Sequence, residues 1–220
     1  MVLDDYRYKV EPLLTKIGSF LITTHPNTMT WLAFIFAVFA GVSFYFTNFY
    51  GKFFLLIASL FIFFNAFFDA LDGKVARMRK ITSIKGDFLD HVLDRYADIF
   101  ILGGITFSIY CDLRLGLLAI LGVLLASYMG TQSQAVGLKR DYKGALGRAD
   151  RLVLLIIIPI IQYAIESIEL NGAKLFSSSR FVFYGYAFTT IEILMIWFAI
   201  AGHATAIQRI RNSWRELNKS

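Results

Sequence analysis

The sequence predicts an all-α integral membrane protein, with six transmembrane helices and an N-terminal amphipathic helix lying at the membrane interface. Three observations predict it. Apolar residues make up 57% of the 220, with 22 Phe among them, and the mean hydropathy is +0.59, whereas soluble domains are about 45–50% apolar. Six apolar segments follow one another along the chain. The Lys and Arg residues between them fall almost entirely on alternate connections, the pattern of loops facing one side of a bilayer. The length suits a single membrane domain, residues 1–220.

Composition also excludes classes. One Cys excludes a disulfide scaffold. The opening Asp4-Asp5-Tyr6-Arg7 is charged and shows no cleavable signal pattern. The net charge of +6 lies between apolar spans, which points to a membrane surface or an anionic headgroup and not to nucleic acid.

Residues 4–20 place Val10, Leu13, Leu14 and Ile17, with Leu21 just beyond, at helical spacing, so this helix is expected in the headgroup plane. His25-Pro26-Asn27-Thr28 breaks it and caps the first span. The apolar segments cover residues 28–50, 53–68, 99–110, 115–128, 152–165 and 181–206. About 20 apolar residues cross a bilayer as a helix. The first and last segments reach that length alone, and the four between reach it by recruiting polar residues at one end. Three basic residues before residue 20, five in 74–85, five in 139–151 and four in 209–219 share one side, against Lys52, Arg114, Lys174 and Arg180 on the other. With six spans both termini are cytoplasmic, and the cell membrane is the expected location.

Asp69, Asp72, Asp87, Asp90, Asp94 and Asp98 crowd into one short stretch. A carboxylate in a membrane span costs about 2.5–3.5 kcal/mol on insertion scales and marks function. A helix over 87–110 is about 36 Å long at 1.5 Å per residue. Only its last half is apolar, so Asp94 and Asp98 are expected below the headgroups, in a water-filled cavity open to the cytoplasm. Asp69 and Asp72 are spaced i, i+3, and Asp90 and Asp94 i, i+4, so each pair lies on one helix face. Two antiparallel helices would point four carboxylates at one another. Their repulsion calls for a hard divalent cation with oxygen ligands, Mg²⁺ or Mn²⁺. Asp87 and Asp98 are expected to cap the third span and to pair with Arg95. Gly73 lets a ligand approach the backbone, Ala76 keeps that face open, and Arg77 suits a diphosphate through bidentate contacts. The resulting pattern is Asp69-x-x-Asp72-Gly73-x-x-Ala76-Arg77, then Gly86, Asp90 and Asp94 after gaps of eight, three and three residues.

With these residues in place, the sequence resembles the CDP-alcohol phosphatidyltransferase family, whose signature it matches at every fixed position, and the resemblance runs over the whole chain. It implies an enzyme of phospholipid biosynthesis that transfers a lipid-phosphate group from a CDP-lipid to a small alcohol and releases CMP. It implies that Asp69, Asp72 and Asp90 bind two metal ions, with Asp94 both a metal neighbour and the general base. Gly73, Arg77, Ser83 and Gly86, with Pro26, Asn27, Thr28 and Met29, are implied to bind the CDP-lipid, either CDP-archaeol or CDP-diacylglycerol. A homodimer is implied as well.

The connection 137–152 carries five basic residues beside the expected cavity, which suggests an acceptor that bears its own phosphate. Gly147-Arg148-Ala149-Asp150-Arg151-Leu152 resembles the inositol-phosphate-using branch of the family, most of all its archaeal members. L-myo-inositol 1-phosphate is therefore the expected acceptor, with Lys139, Arg148 and Arg151 as its phosphate contacts and glycerol 3-phosphate as the alternative. Glu192 is expected as a hydrogen-bonded structural group or a dimer contact, and His203 as an interfacial residue without a catalytic role. A cation transporter is the competing class, but the chain lacks the internal repeat of transporters and its carboxylates gather at one face.

Overall fold

Among the described residues, long apolar runs interrupted by Gly, Pro and capping side chains fold into seven α-helices, with two small hairpins before the last one. The computed structural model describes residues 7–218 apart from 140, 142–143, 146, 171–172, 175–180 and 184–185. Helix α1 spans Arg7–Phe20; residues 4–6 of the expected amphipathic segment lie outside the described ones. Leu14, Ile17 and Leu21 pack against the buried Met29, Leu71 and Val75, while Leu13 and Phe20 are exposed. Lys74 pairs with Glu11 and ties α1 to α3.

Helix α2, Pro26–Tyr50, starts where the sequence predicts a cap: His25 Nδ1 accepts the Asn27 N–H at 3.2 Å, and Pro26 occupies the first turn. Gly51, at φ +82, turns the chain into α3, Phe53–Met78. The expected segment 53–68 therefore continues without a break through Asp69 and Asp72. Helix α4 is Ile84–Thr106, shifted toward the N-terminus from the expected 87–110. Ser83 sets that start, because its hydroxyl accepts the Gly86 N–H at 3.0 Å. Helices α5, Leu113–Ala135, and α6, Arg148–Ser167, enclose and extend the fourth and fifth expected segments.

The sixth expected segment, 181–206, is corrected. Hairpin β1 (Glu169–Leu170) with β2 (Ala173–Lys174) is followed by β3 (Phe181–Phe183) paired antiparallel with β4 (Tyr186–Phe188). Helix α7 begins only at Thr190 and runs to Leu217. Aromatic and β-branched residues around a glycine favour a hairpin, and Thr189 then caps α7 by accepting the Glu192 N–H at 3.0 Å. Among the described residues, four helices, α2, α3, α5 and α7, are long and apolar enough to cross a membrane. Helix α4 carries Asp87, Asp90, Asp94, Arg95 and Asp98 along its own length.

Helix α2 packs on α3 and α4, α3 on α6, and α5 on α7, around Phe44, Leu55, Ile62, Ile101, Val123, Leu155 and Phe198. Small residues let these helices approach closely. A Cβ on Gly104 of α4 would lie 2.2 Å from the Gly41 carbonyl oxygen of α2, and one on Gly202 of α7 would lie 2.5 Å from the Gly122 backbone of α5.

A polar network fastens the end remote from the aspartates. The Tyr110 hydroxyl donates to Glu166 at 3.1 Å, and Gln162 donates to the same carboxylate at 2.8 Å. Gln162 accepts the Thr190 N–H at 2.9 Å, and Thr189 donates to the Tyr110 carbonyl at 2.7 Å. Glu192 is buried and accepts the Asp112 N–H at 2.8 Å, a structural hydrogen bond as expected. His203 packs between α5 and α7, with Nδ1 2.8 Å from the Ala199 carbonyl oxygen.

Gly104→Ala is expected to lower stability by about 1–3 kcal/mol through overpacking. Gly103, whose added Cβ would meet nothing within 4 Å, is the control: Gly103→Ala should be neutral or stabilising by up to ~1 kcal/mol. Thermal unfolding of both variants in detergent checks the pair.

Candidate active site

Helix periodicity puts Asp69 and Asp72 on one face of α3 and Asp90 and Asp94 on one face of α4, and the fold brings the two faces together. One carboxylate oxygen each from Asp69, Asp72 and Asp90 lie within 4.8 Å of one another, and so do ligand atoms of Asp90, His91 and Asp94. Asp72 and Asp94 are each only 7% exposed. Asp72 Oδ2 and Asp90 Oδ1 are buried without a hydrogen-bond partner. A buried carboxylate oxygen left unpaired is costly, so these two orphans fit a cation that would sit between the helices.

Part of the charge is met by arginines from the start of α6. Arg148 Nη1 lies 3.0 Å from both oxygens of Asp69, and its Nη2 lies 2.5 Å from Asp94 Oδ1. One guanidinium thus bridges α3 and α4. Arg151, one turn on, is buried and donates to both oxygens of Asp98 at 2.7 Å. Arg95 reaches Asp94 at 3.5 Å and Asp98 at 3.7 Å. The expected pairing of Asp98 with Arg95 is present, and Arg151 adds a closer partner from α6; the expected capping role is corrected, because Asp98 lies well inside α4. Asp87 does not cap α4, since Ser83 does, and instead lies in the first turn with its Oδ1 3.7 Å from His91 Nε2. A small cleft lined by Thr30, Phe34, Asn65, Asp69, Leu93 and Asp94 opens beside the carboxylates.

The other expected site residues divide. Asn27, Ser83 and Gly86 meet where the start of α2 faces the start of α4: a Cβ on Gly86 would lie 3.2 Å from Ser83 Oγ and 3.6 Å from Asn27 Oδ1. The Arg77 guanidinium lies over Gly73, 3.3 Å from where a Cβ would stand, and Arg77 is otherwise exposed. Thr28 is exposed, whereas Pro26 and Met29 are buried, Met29 against Leu71 and Val75. Lys139 is exposed after α5; Arg140 and Lys143 lie outside the described residues. His91 escapes sequence reasoning, although its position four residues after Asp87 and three before Asp94 is the available signal. The Arg148 bridge escapes it too, because the contact spans 79 residues.

A helical bundle with four inward carboxylates and a phosphate-compatible arginine set defines the class, and residues 23–202 match CDP-alcohol phosphatidyltransferase: the chain belongs to that family of enzymes. Among its relatives are the archaetidylinositol phosphate synthases of Pyrococcus horikoshii and Methanothermobacter thermautotrophicus, each 30% identical. The first match covers 71% of this chain and 81% of the relative, the second 70% and 67%. The fold matches crystal structures of Mycobacterium tuberculosis phosphatidylinositol phosphate synthase with CDP-DAG bound (TM-score 0.69, 21% identity, 92% of this chain and 94% of the other) and in complex with manganese and citrate (TM-score 0.69, 22% identity, 91% and 88%).

Removing Arg151 should expose its structural share. Arg151→Met leaves the buried Asp98 with only the longer Arg95 contact at 3.7 Å, an expected loss of up to about 3–5 kcal/mol. Arg151→Met with Asp98→Leu is expected to recover most of it, and a double-mutant cycle of unfolding free energies measures the recovery.

Proposed function

We propose that this enzyme transfers a lipid-phosphate group from a CDP-lipid to L-myo-inositol 1-phosphate, releasing CMP. The observation that carries the reading is the meeting of Asp69, Asp72 and Asp90 within 4.8 Å with orphaned oxygens on Asp72 and Asp90. Such a carboxylate set suits Mg²⁺ or Mn²⁺, and a relative of the same fold was crystallised with manganese. Asp69, Asp72, Asp90 and Asp94 would hold two ions, which when bound supply charge stabilisation for the pyrophosphate and the departing CMP. The inositol-phosphate acceptor is supported by the archaetidylinositol phosphate synthases among the relatives.

The residues divide the work. Asn27, Ser83 and Gly86, gathered at the starts of α2 and α4, receive the cytidine end together with Thr28, while Gly73 leaves room for the Arg77 guanidinium to reach a diphosphate oxygen. Pro26 and Met29 set the start of α2. Asp94 accepts the proton of the acceptor hydroxyl; that oxygen bonds to the lipid-bearing phosphorus as the bond to the CMP oxygen breaks. Arg148 now engages Asp94, so the acceptor phosphate acts twice: it draws the guanidinium to itself, with Lys139, and so frees the base. Arg151, held by Asp98, positions Arg148 one turn away.

The membrane setting completes the reading. Helices α2–α7 are six spans of one domain, with α4 and α6 crossing among the others. α1 lies in the headgroup plane, both termini and the site face the cytoplasm, and the enzyme works in the cell membrane as a homodimer.

Purified protein given Mg²⁺, CDP-archaeol or CDP-diacylglycerol, and a panel of acceptors should release CMP with inositol 1-phosphate at least about tenfold faster than with glycerol 3-phosphate, a difference of 1.4 kcal/mol. A preference for glycerol 3-phosphate would overturn the acceptor, and no CMP with any acceptor would overturn the reading of the site. Asp94→Asn is expected to slow turnover by about 10²–10⁴ while CDP-lipid binding stays within a few fold.

A further inference from the structure

The eight-residue signature does not include His91, yet the fold sets its imidazole among the carboxylates. Its Nδ1, buried from solvent, faces Asp90 Oδ2 at 3.9 Å, and its Nε2 faces Asp87 Oδ1 at 3.7 Å. A ring nitrogen, an Asp90 oxygen and an Asp94 oxygen all lie within 4.8 Å of one another. Two ligands bonded at about 2.0–2.2 Å to one cation stand at most about 4.4 Å apart, so a small rotamer adjustment closes this group on an ion. Asp90 belongs also to the group with Asp69 and Asp72. Asp90 Oδ1 and Oδ2 of the more than nine-tenths buried Asp72 are buried carboxylate oxygens without a hydrogen-bond partner.

The other side of the ring matters equally. A metal-bound histidine as a rule donates its second N–H to a carboxylate, which fixes the tautomer and orients the ring. Asp87 stands one helical turn before His91, on the Nε2 side, where that partner belongs. A single stretch of α4 therefore presents carboxylate, imidazole and cation position in that sequence, and gives Asp87 a purpose that helix capping does not.

We propose that His91 is a ligand of the cation held by Asp90 and Asp94, through Nδ1, with Asp87 orienting the ring through Nε2. This rests on the reading of the aspartates as a divalent-metal centre. A nitrogen donor disfavours Mg²⁺, which prefers six oxygens and retains its water, and favours a first-row transition ion that accepts imidazole. This half of the centre thus discriminates between metals.

Mn²⁺ added to the full-length protein is the probe. Bound Mn²⁺ is counted by its electron paramagnetic resonance signal, and pulsed measurements detect coupling to ¹⁴N. Wild-type protein is expected to bind Mn²⁺ with a ¹⁴N coupling that becomes a ¹⁵N coupling when histidine alone is ¹⁵N-labelled. His91→Gln should lose the coupling and about tenfold in Mn²⁺ affinity, with Mg²⁺ affinity changed less than about twofold; Asp87→Asn should keep the coupling and weaken Mn²⁺ severalfold. Bound Mn²⁺ without histidine nitrogen coupling in the wild type would overturn the role of His91 and leave the aspartate centre standing. An absence of bound Mn²⁺ would overturn the metal centre and this proposal with it. The wild-type measurement decides between these even where a variant fails to fold.

Discussion

Negative charge placed inside an apolar bundle is the constraint on which this structure turns. Asp72, Asp94 and Asp98 are all buried, and a buried ion is tolerated only when it is paired and hydrogen-bonded. Arg148 and Arg151 meet that demand from the first turn of α6. Helix α6 must therefore start where α3 and α4 present their carboxylates, and its packing on α3 follows. The arginines satisfy Asp98 fully and Asp69 and Asp94 in part, while Asp72 and Asp90 keep an oxygen unanswered. That shortfall in positive charge is the chemical opening of the site.

Geometry at this precision depends on how closely the helices lie. Had α2 and α4 met through large side chains, their separation would follow from side-chain volume and the start of each helix would drift. They meet instead backbone to backbone at Gly41 and Gly104, as α5 and α7 do at Gly122 and Gly202. Close contacts of this kind have little room for adjustment. They hold the start of α2, with Asn27, beside the start of α4, with Ser83 and Gly86, from contacts far along both helices.

Helix α2 is legible in the sequence because its apolar run is long enough by itself, and α3 and α5 are legible as shorter apolar runs that continue into polar residues. The Asp69–Asp94 spacing is legible because each pair obeys helical periodicity and the connection between α3 and α4 is short. Three features lie outside the apolar patterning that marks the spans. Ser83 starts α4 early through a single hydroxyl contact. The 181–188 stretch is as apolar as a span, so hydropathy does not separate its hairpin from a helix. Arg148 and Arg151 read equally well as solvent-facing basic residues, and only the fold, bringing residue 148 beside residue 69, turns them inward. His91 belongs with these: an adjacent Asp-His pair acquires meaning when Asp94 and Asp87 fall on the same side of α4.

The hydrogen-bonded network of Tyr110, Gln162, Glu166, Thr189 and Thr190 lies at the opposite end from all of this. It laces the α4–α5 connection to α6 and α7, and its members are uncharged amides and hydroxyls around one glutamate. In mechanical terms the bundle resembles a tweezer riveted at one end, with its free tips at the aspartates. The spacing at the aspartate end can then adjust without loosening the joint that holds the other end of the bundle.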